Sequence, residues 1–137
     1  MNIEWLIPCR YAEVHDNLAT IIGAPVDRMW VPQVPSPVGC MLVMRFTGTA
    51  EEFESGEEHQ LRSCIRAPGG DVVAELTGGM VVGGDQLQEE WLNGVTLPVA
   101  LQFMAETEGT YTVEQFIDNL SASIPLHVAV GAPPGAA

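Results

Sequence analysis

The sequence predicts an all-β fold: an antiparallel two-sheet β-sandwich of about eight strands, with helix limited to short turns. Two observations carry that expectation. Between Val95 and Val130 apolar side chains recur at alternate positions: Val95, Leu97, Val99, Leu101 and Phe103, then Tyr111, Val113 and Ile117, then Ile124, Leu126, Val128 and Val130. A period of two marks strands with one buried face. Short turn signals separate similar runs elsewhere, at Asp16-Asn17 and at Pro68-Gly69-Gly70-Asp71, and such signals join strands. Antiparallel strands must cover their apolar faces, and stacking two sheets does so.

YAEVH and LATII form the first strand pair. Tyr11, Glu13 and His15 lie on one side, Ala12 and Val14 on the other, with the turn at Asp16-Asn17. Gly23-Ala24-Pro25 ends the second run. Asp27 to Val31 is a short segment terminated by Pro32, Pro35 and Pro37; residues 32 to 38 are expected as loop, because proline has no N–H to give a ladder. GCMLVMRFTGT is the next strand, with Cys40, Leu42, Met44 and Phe46 on an apolar face. Met41, Val43, Arg45 and Thr47 make the mixed face, where Arg45 marks solvent. With neither proline nor lysine in residues 39 to 47, this strand is also a candidate edge for self-pairing.

Thr49 can cap one helical turn around Glu51 to Glu54. HQLRSCIR then opens a hairpin with Leu61, Ser63 and Ile65 facing opposite to Arg62, Cys64 and Arg66, and it returns through Val72, Ala74 and Leu76. Residues 78 to 94 are the least periodic, and a long connection is expected there, with Leu87, Trp91 and Leu92 covering an open end of the core. The runs from Val95 to Val130 read as an antiparallel meander. Within it Gly109-Thr110-Tyr111 points to an immunoglobulin-like tyrosine corner, in which the hydroxyl satisfies a nearby backbone group. A core aromatic without that geometry is the competing reading of Tyr111. Residues 1 to 130 are expected to form a single domain and residues 131 to 137 a flexible tail.

A chain of 137 residues can bury roughly two-thirds of its unfolded surface in one core. Eighteen acidic residues face five basic ones, all arginine, for a net charge of -13. Phosphate backbones and anionic bilayers are bound by clustered Lys and Arg, so neither a nucleic acid nor a membrane is expected as a partner. No apolar run is long enough to span a bilayer. Cys9, Cys40 and Cys64 are widely spaced with no CxxC, and MNIEWLIPCR lacks the basic region of a signal peptide. A reducing cytoplasm is the simplest setting.

Catalytic and metal motifs are sparse. His15, His59 and His127 form no HExxH; His15 with Asp16, or His59 with Glu57 and Glu58, would be the starting points of a divalent site. Glu51, Glu52, Glu54, Glu57 and Glu58 lack the Asp-x-Asp spacing of calcium loops, and the Asp118-Asn119 loop stands alone. Glu106 and Glu108 share a strand side near a turn, where both should be exposed. There is no GxSxG, Ser121 and Ser123 fall in an expected turn, and Arg62 and Arg66 would lower the Cys64 thiol pKa only by converging on it. No glycine-rich phosphate loop is present. No cofactor, metal ligand or catalytic residue is therefore assigned.

What remains is an interaction surface at Arg28, Met29, Trp30 and Val31, an aromatic and apolar group beside an arginine and a proline loop. The competing reading turns Trp30 inward as a plug. Trp5 and Trp91 are the other large amphipathic groups. The function expected is a non-enzymatic interaction or assembly module with a protein partner or a second copy, a homodimer included. The alternative is a small-ligand or divalent-metal protein, or an enzyme, gathering His15, His59 or His127 with carboxylates from separate strands.

The run YAEVHDNLATIIGAPVDRMWVPQVP, the strand MLVMRFTG, the acidic segment leading into EHQLRSCIRAPGGDVVAEL, and LPVALQFMAETEGTYTVEQFIDNLSASIPLHV together resemble a group of bacterial proteins, frequent in actinobacteria, assigned as an uncharacterised domain. The resemblance covers nearly the whole chain and implies a small β domain. It brings no activity, ligand or catalytic residue.

Overall fold

The computed structural model describes residues 1–83 and 93–135. Among them are ten strands and one short helix: β1 Asn2–Cys9, β2 Tyr11–His15, β3 Leu18–Ile22, β4 Arg28–Val31, β5 Ser36–Gly48, α1 Ala50–Glu54, β6 Glu58–Arg66, β7 Val72–Val81, β8 Asn93–Ala105, β9 Gly109–Ile117 and β10 Leu120–Val130. They form three sheets, ordered β1-β5-β8, β4-β10-β9-β6-β7 and β2-β3. The pairs are antiparallel except β4 with β10, which run parallel. The fold is nearly all-β, with one sheet curled into a half-barrel.

Local chemistry accounts for the turns. Asp16 and Asn17 join β2 to β3 at φ 51° and 62°, a left-handed conformation that these two residues tolerate better than most. Asn17 also holds the hairpin in place: its amide donates to Gly94 O and its Oδ1 accepts from Thr96 N, both at 2.7 Å. Thr49 caps α1 in a reciprocal capping box with Glu52, and the Glu52 carboxylate pairs with the Met1 amine.

The main core lies between the two larger sheets. Leu42, Met44 and Phe46 of β5 meet Ile65 of β6, Tyr111, Val113 and Ile117 of β9, and Leu126 of β10, all buried. A second, smaller cluster lies on the other face of β5, where Val43 packs with Cys9 and Ala12 beneath the β2–β3 hairpin. The mixed face of β5 is thus covered as well, and Arg45 there is only partly exposed and paired with Glu4 at 2.8 Å. Nor is β5 an edge. It pairs with β1 on one side and, from Ser36 to Gly48, with β8 on the other, which removes it as a route to self-pairing.

The expected meander is interrupted in the same way. Strands β9 and β10 do form a hairpin, with Ile117 opposite Leu120, but β8 pairs with β5 while β9 pairs with β6 and β10. The chain crosses from one sheet to the other at residues 106–108. Tyr111 braces this crossing, its hydroxyl donating to Thr107 O at 2.8 Å. Further boundaries differ from expectation. Residues 2–9 are a strand, residues 78–81 continue β7 and residues 93–94 begin β8; Leu87, Trp91 and Leu92 lie outside the described residues. The expected loop at residues 32–38 ends earlier, since β5 starts at Ser36, and Ser121 and Ser123 are in β10, not in a turn.

Candidate functional site

Strand β4 is an outer strand of the five-stranded sheet, with β7 at the other edge. Asp27 O accepts from His127 N and Val31 O from Gly131 N, each at 2.8 Å. Because successive residues of a strand direct their N–H and C=O groups to alternate sides, Asp27, Met29 and Val31 spend theirs on β10. Arg28 and Trp30 turn theirs to the open side. Side chains alternate too, in the perpendicular direction: Met29 and Val31 pack into the main core, while exposed Arg28 and half-buried Trp30 stand on the opposite face.

A groove of about 750 Å³ runs along this edge, lined by all four residues Arg28, Met29, Trp30 and Val31. Buried Val26, Val31 and Val38 give it an apolar floor. Arg10 forms part of the wall. Its stem lies against Gly23, whose φ is 68°, with Arg10 Cγ and Cδ 2.9 Å from where a Cβ would sit, so a side chain at Gly23 would displace it. Arg10 is the groove residue that sequence reading missed. It lies 18 positions before Arg28, and only the return of the chain through Gly23 brings the two to one surface.

The histidines are not brought together. His15 Nε2 is 3.6 Å from Glu13 on the exposed side of the hairpin, and His127 Nδ1 is 3.0 Å from Thr110 Oγ1. His59 pairs with a residue that sequence spacing did not suggest: its Nδ1 donates to Asp118 Oδ2 at 2.7 Å. Asp118 Oδ1 accepts from Gln60 N at 2.9 Å. The His59 side chain is nine-tenths buried, and its Nε2 has no hydrogen-bond partner among the described residues. Among the described residues no group of three or more His, Cys, Asp and Glu is arranged to hold a metal. Glu106 and Glu108 are both exposed, and Glu108 accepts from Val130 N at 2.6 Å.

The hydrogen bond from His59, and then that from the Gln60 amide, hold the Asp118 carboxyl below the usual carboxylate range. A carboxyl whose folded pKa is depressed adds stability above its unfolded pKa, about 3.9, and loses it as pH falls through the folded value. The stability gap between the parent and Asp118→Asn should therefore be widest near neutral pH and close on acidification below about pH 4. Urea titrations of both proteins across that range measure it. A gap that is constant with pH would mean that the Asp118 charge contributes nothing.

The arginines beside Cys64 do not activate its thiol. Burial pushes its thiol pKa up and the Glu114 charge adds to this, outweighing the opposing effects of Arg62 and Arg66. Those arginines are committed elsewhere, Arg62 near Glu75 at 3.4 Å and over the Phe116 ring at 5.0 Å, Arg66 on Glu114. The Arg62–Glu75 contact is an ion pair without hydrogen-bond geometry, since Arg62 Nε makes no hydrogen bond among the described residues. Cys9, Cys40 and Cys64 are all free and buried.

A small, nearly all-β protein with an apolar, arginine-bordered groove at an open sheet edge is the class these features define. The chain belongs to DUF6941, a family of unknown function, whose family model matches residues 4–129. Among curated proteins and among solved structures, none matches it. No helix among the described residues is long and apolar enough to cross a membrane.

Proposed function

We propose that this chain is a non-enzymatic interaction module that docks an extended segment of a protein partner along the open side of β4, with Arg28, Met29, Trp30 and Val31 as the contact surface. The unpaired backbone groups of Arg28 and Trp30, set in a groove with an apolar floor, carry this reading. Adding a strand to an exposed edge supplies affinity through main-chain hydrogen bonds and selectivity through alternate side chains. Amide hydrogen exchange tests it. In the free protein the amides of Arg28 and Trp30 should exchange fast and those of Met29 and Val31 slowly; docking of an eight-residue extended peptide should protect the first pair. Binding that leaves the Arg28 and Trp30 amides unprotected would sink the edge-pairing reading.

An immunoglobulin-like sandwich of one domain over residues 1–130 is the fold that fits this role. The order β1-β5-β8, and β10-β9-β6-β7 in the sheet that β4 extends, supports it by following the A-B-E and G-F-C-C′ orders of that fold. The hydrogen bond from the Tyr111 hydroxyl, at the start of β9, back to Thr107 O supports a tyrosine corner. The antibody hallmarks are replaced: Val113 stands two residues after the tyrosine, where a disulfide cysteine would be, and the cysteines are free. The second reading, a ligand or metal site built from histidine and carboxylate, is favoured by one observation, the unpartnered Nε2 of His59 beside Asp118.

A further inference from the structure

We infer that the groove selects a partner segment in which carboxylates alternate with apolar residues, and that Arg10 and Arg28 are the residues that recognise the carboxylates. The inference rests on the docking reading above and adds the chemistry of the partner.

The five arginines of this chain divide into two groups. Arg45, Arg62 and Arg66 each face a carboxylate: Glu4, Glu75 and Glu114. The guanidinium groups of Arg10 and Arg28 make no ion pair or hydrogen bond with any described residue, and both residues border the same groove. In a chain with 18 carboxylates and a net charge of -13, two exposed guanidiniums line this groove with no Asp or Glu among its lining residues. Charge complementarity of this kind selects among partners and suppresses wrong ones.

The edge geometry fixes the pattern of the ligand. A strand added beside β4 would turn alternate side chains toward the face that bears Arg28 and Trp30, and the others toward the floor of Val26, Val31 and Val38. Carboxylates fit the first set and aliphatic side chains the second. Arg10 stands where the groove meets a second hollow of about 270 Å³ that it shares with Gly39 and Gln102, so a segment leaving the β4 edge in that direction passes a second guanidinium. A second copy of this chain is a poor occupant, because two molecules of charge -13 repel each other.

The test uses three fluorescent eight-residue peptides in which valine alternates with glutamate, glutamine or lysine, titrated by anisotropy into the full chain and into Arg10→Gln, Arg28→Gln and the double variant. All four substituted or parent chains should have the same circular dichroism spectrum, since both arginines are exposed. The glutamate peptide should bind at least about ten-fold tighter than the glutamine peptide, with the preference gone in the double variant and reduced by salt. Equal binding of the glutamate and glutamine peptides, unchanged by the arginine substitutions, would overturn the carboxylate inference and leave the docking reading standing. Failure of all three peptides to bind would overturn both. A low-salt dimer that the double variant abolishes, without peptide binding, would overturn the external partner in favour of a second copy.

Discussion

Val43→Asp should destabilise the fold by about 3–5 kcal/mol, the cost of an uncompensated charge in a buried position. Val43 is fully buried, and its cluster is formed by Cys9 of β1 and Ala12 of β2 with Trp5, Ile7 and Met41 around it. The cation on this face of β5, Arg45, is already paired with Glu4. An aspartate would either remain charged without a partner or be protonated at a cost in free energy. Ala100→Asp is the control: Ala100 lies on β8 opposite Met41 in register but is exposed, and a surface change of that kind falls within about ±0.5 kcal/mol. Chemical denaturation of both variants against the parent gives the comparison. If Val43→Asp were as mild as Ala100→Asp, the β2–β3 hairpin would not cover this face of β5.

That contrast also shows what the sequence could and could not convey. The features read correctly were local. Asp16-Asn17 and Pro68-Gly69-Gly70-Asp71 each carry their turn within four residues, and Thr49 with Glu52 makes a complete capping box in one turn of chain. Alternation identified the apolar face of β5 and the core positions of β9, because one buried face is a property of a strand by itself. It did not say which strand lies beside it. Hence β8 and β9, successive and similarly patterned, read as a hairpin although they belong to different sheets.

Strands with two covered faces were harder still. In β1, Ile3 and Leu6 pack toward the main core while Trp5, Ile7 and Cys9 pack beneath the hairpin, and a register shift lies between Ile3 and Trp5. The result is a nearly continuous apolar run with no period of two. The end of β7 was hidden for a different reason, since Gly78 and Gly79 carry no side chain to alternate. At the candidate site, Arg28 to Val31 drew attention as a contiguous aromatic and arginine group. Arg10 did not, because its place beside them depends on a long-range return of the chain.

Gln115→Leu should cost about 1–3 kcal/mol, most of it recovered when Ser63→Ala is added, because a stranded buried hydroxyl is penalised whereas replacing both polar partners by apolar groups is close to neutral. Gln115 is 1% exposed and sits on the core face of β9, between Val113 and Ile117. Its Oε1 accepts from the buried hydroxyl of Ser63, directly opposite on β6, and its Nε2 donates to Phe116 O at 2.9 Å. Leucine keeps the bulk but leaves the Ser63 hydroxyl with no acceptor. A double-mutant cycle in urea should therefore give a coupling of about 1 kcal/mol or more. The same pair has a role in specificity: a one-residue slip of β6 against β9 would bury Gln115 without its partner. Additive single effects would show that apolar packing alone sets this register, and that the two polar side chains are tolerated without fixing it.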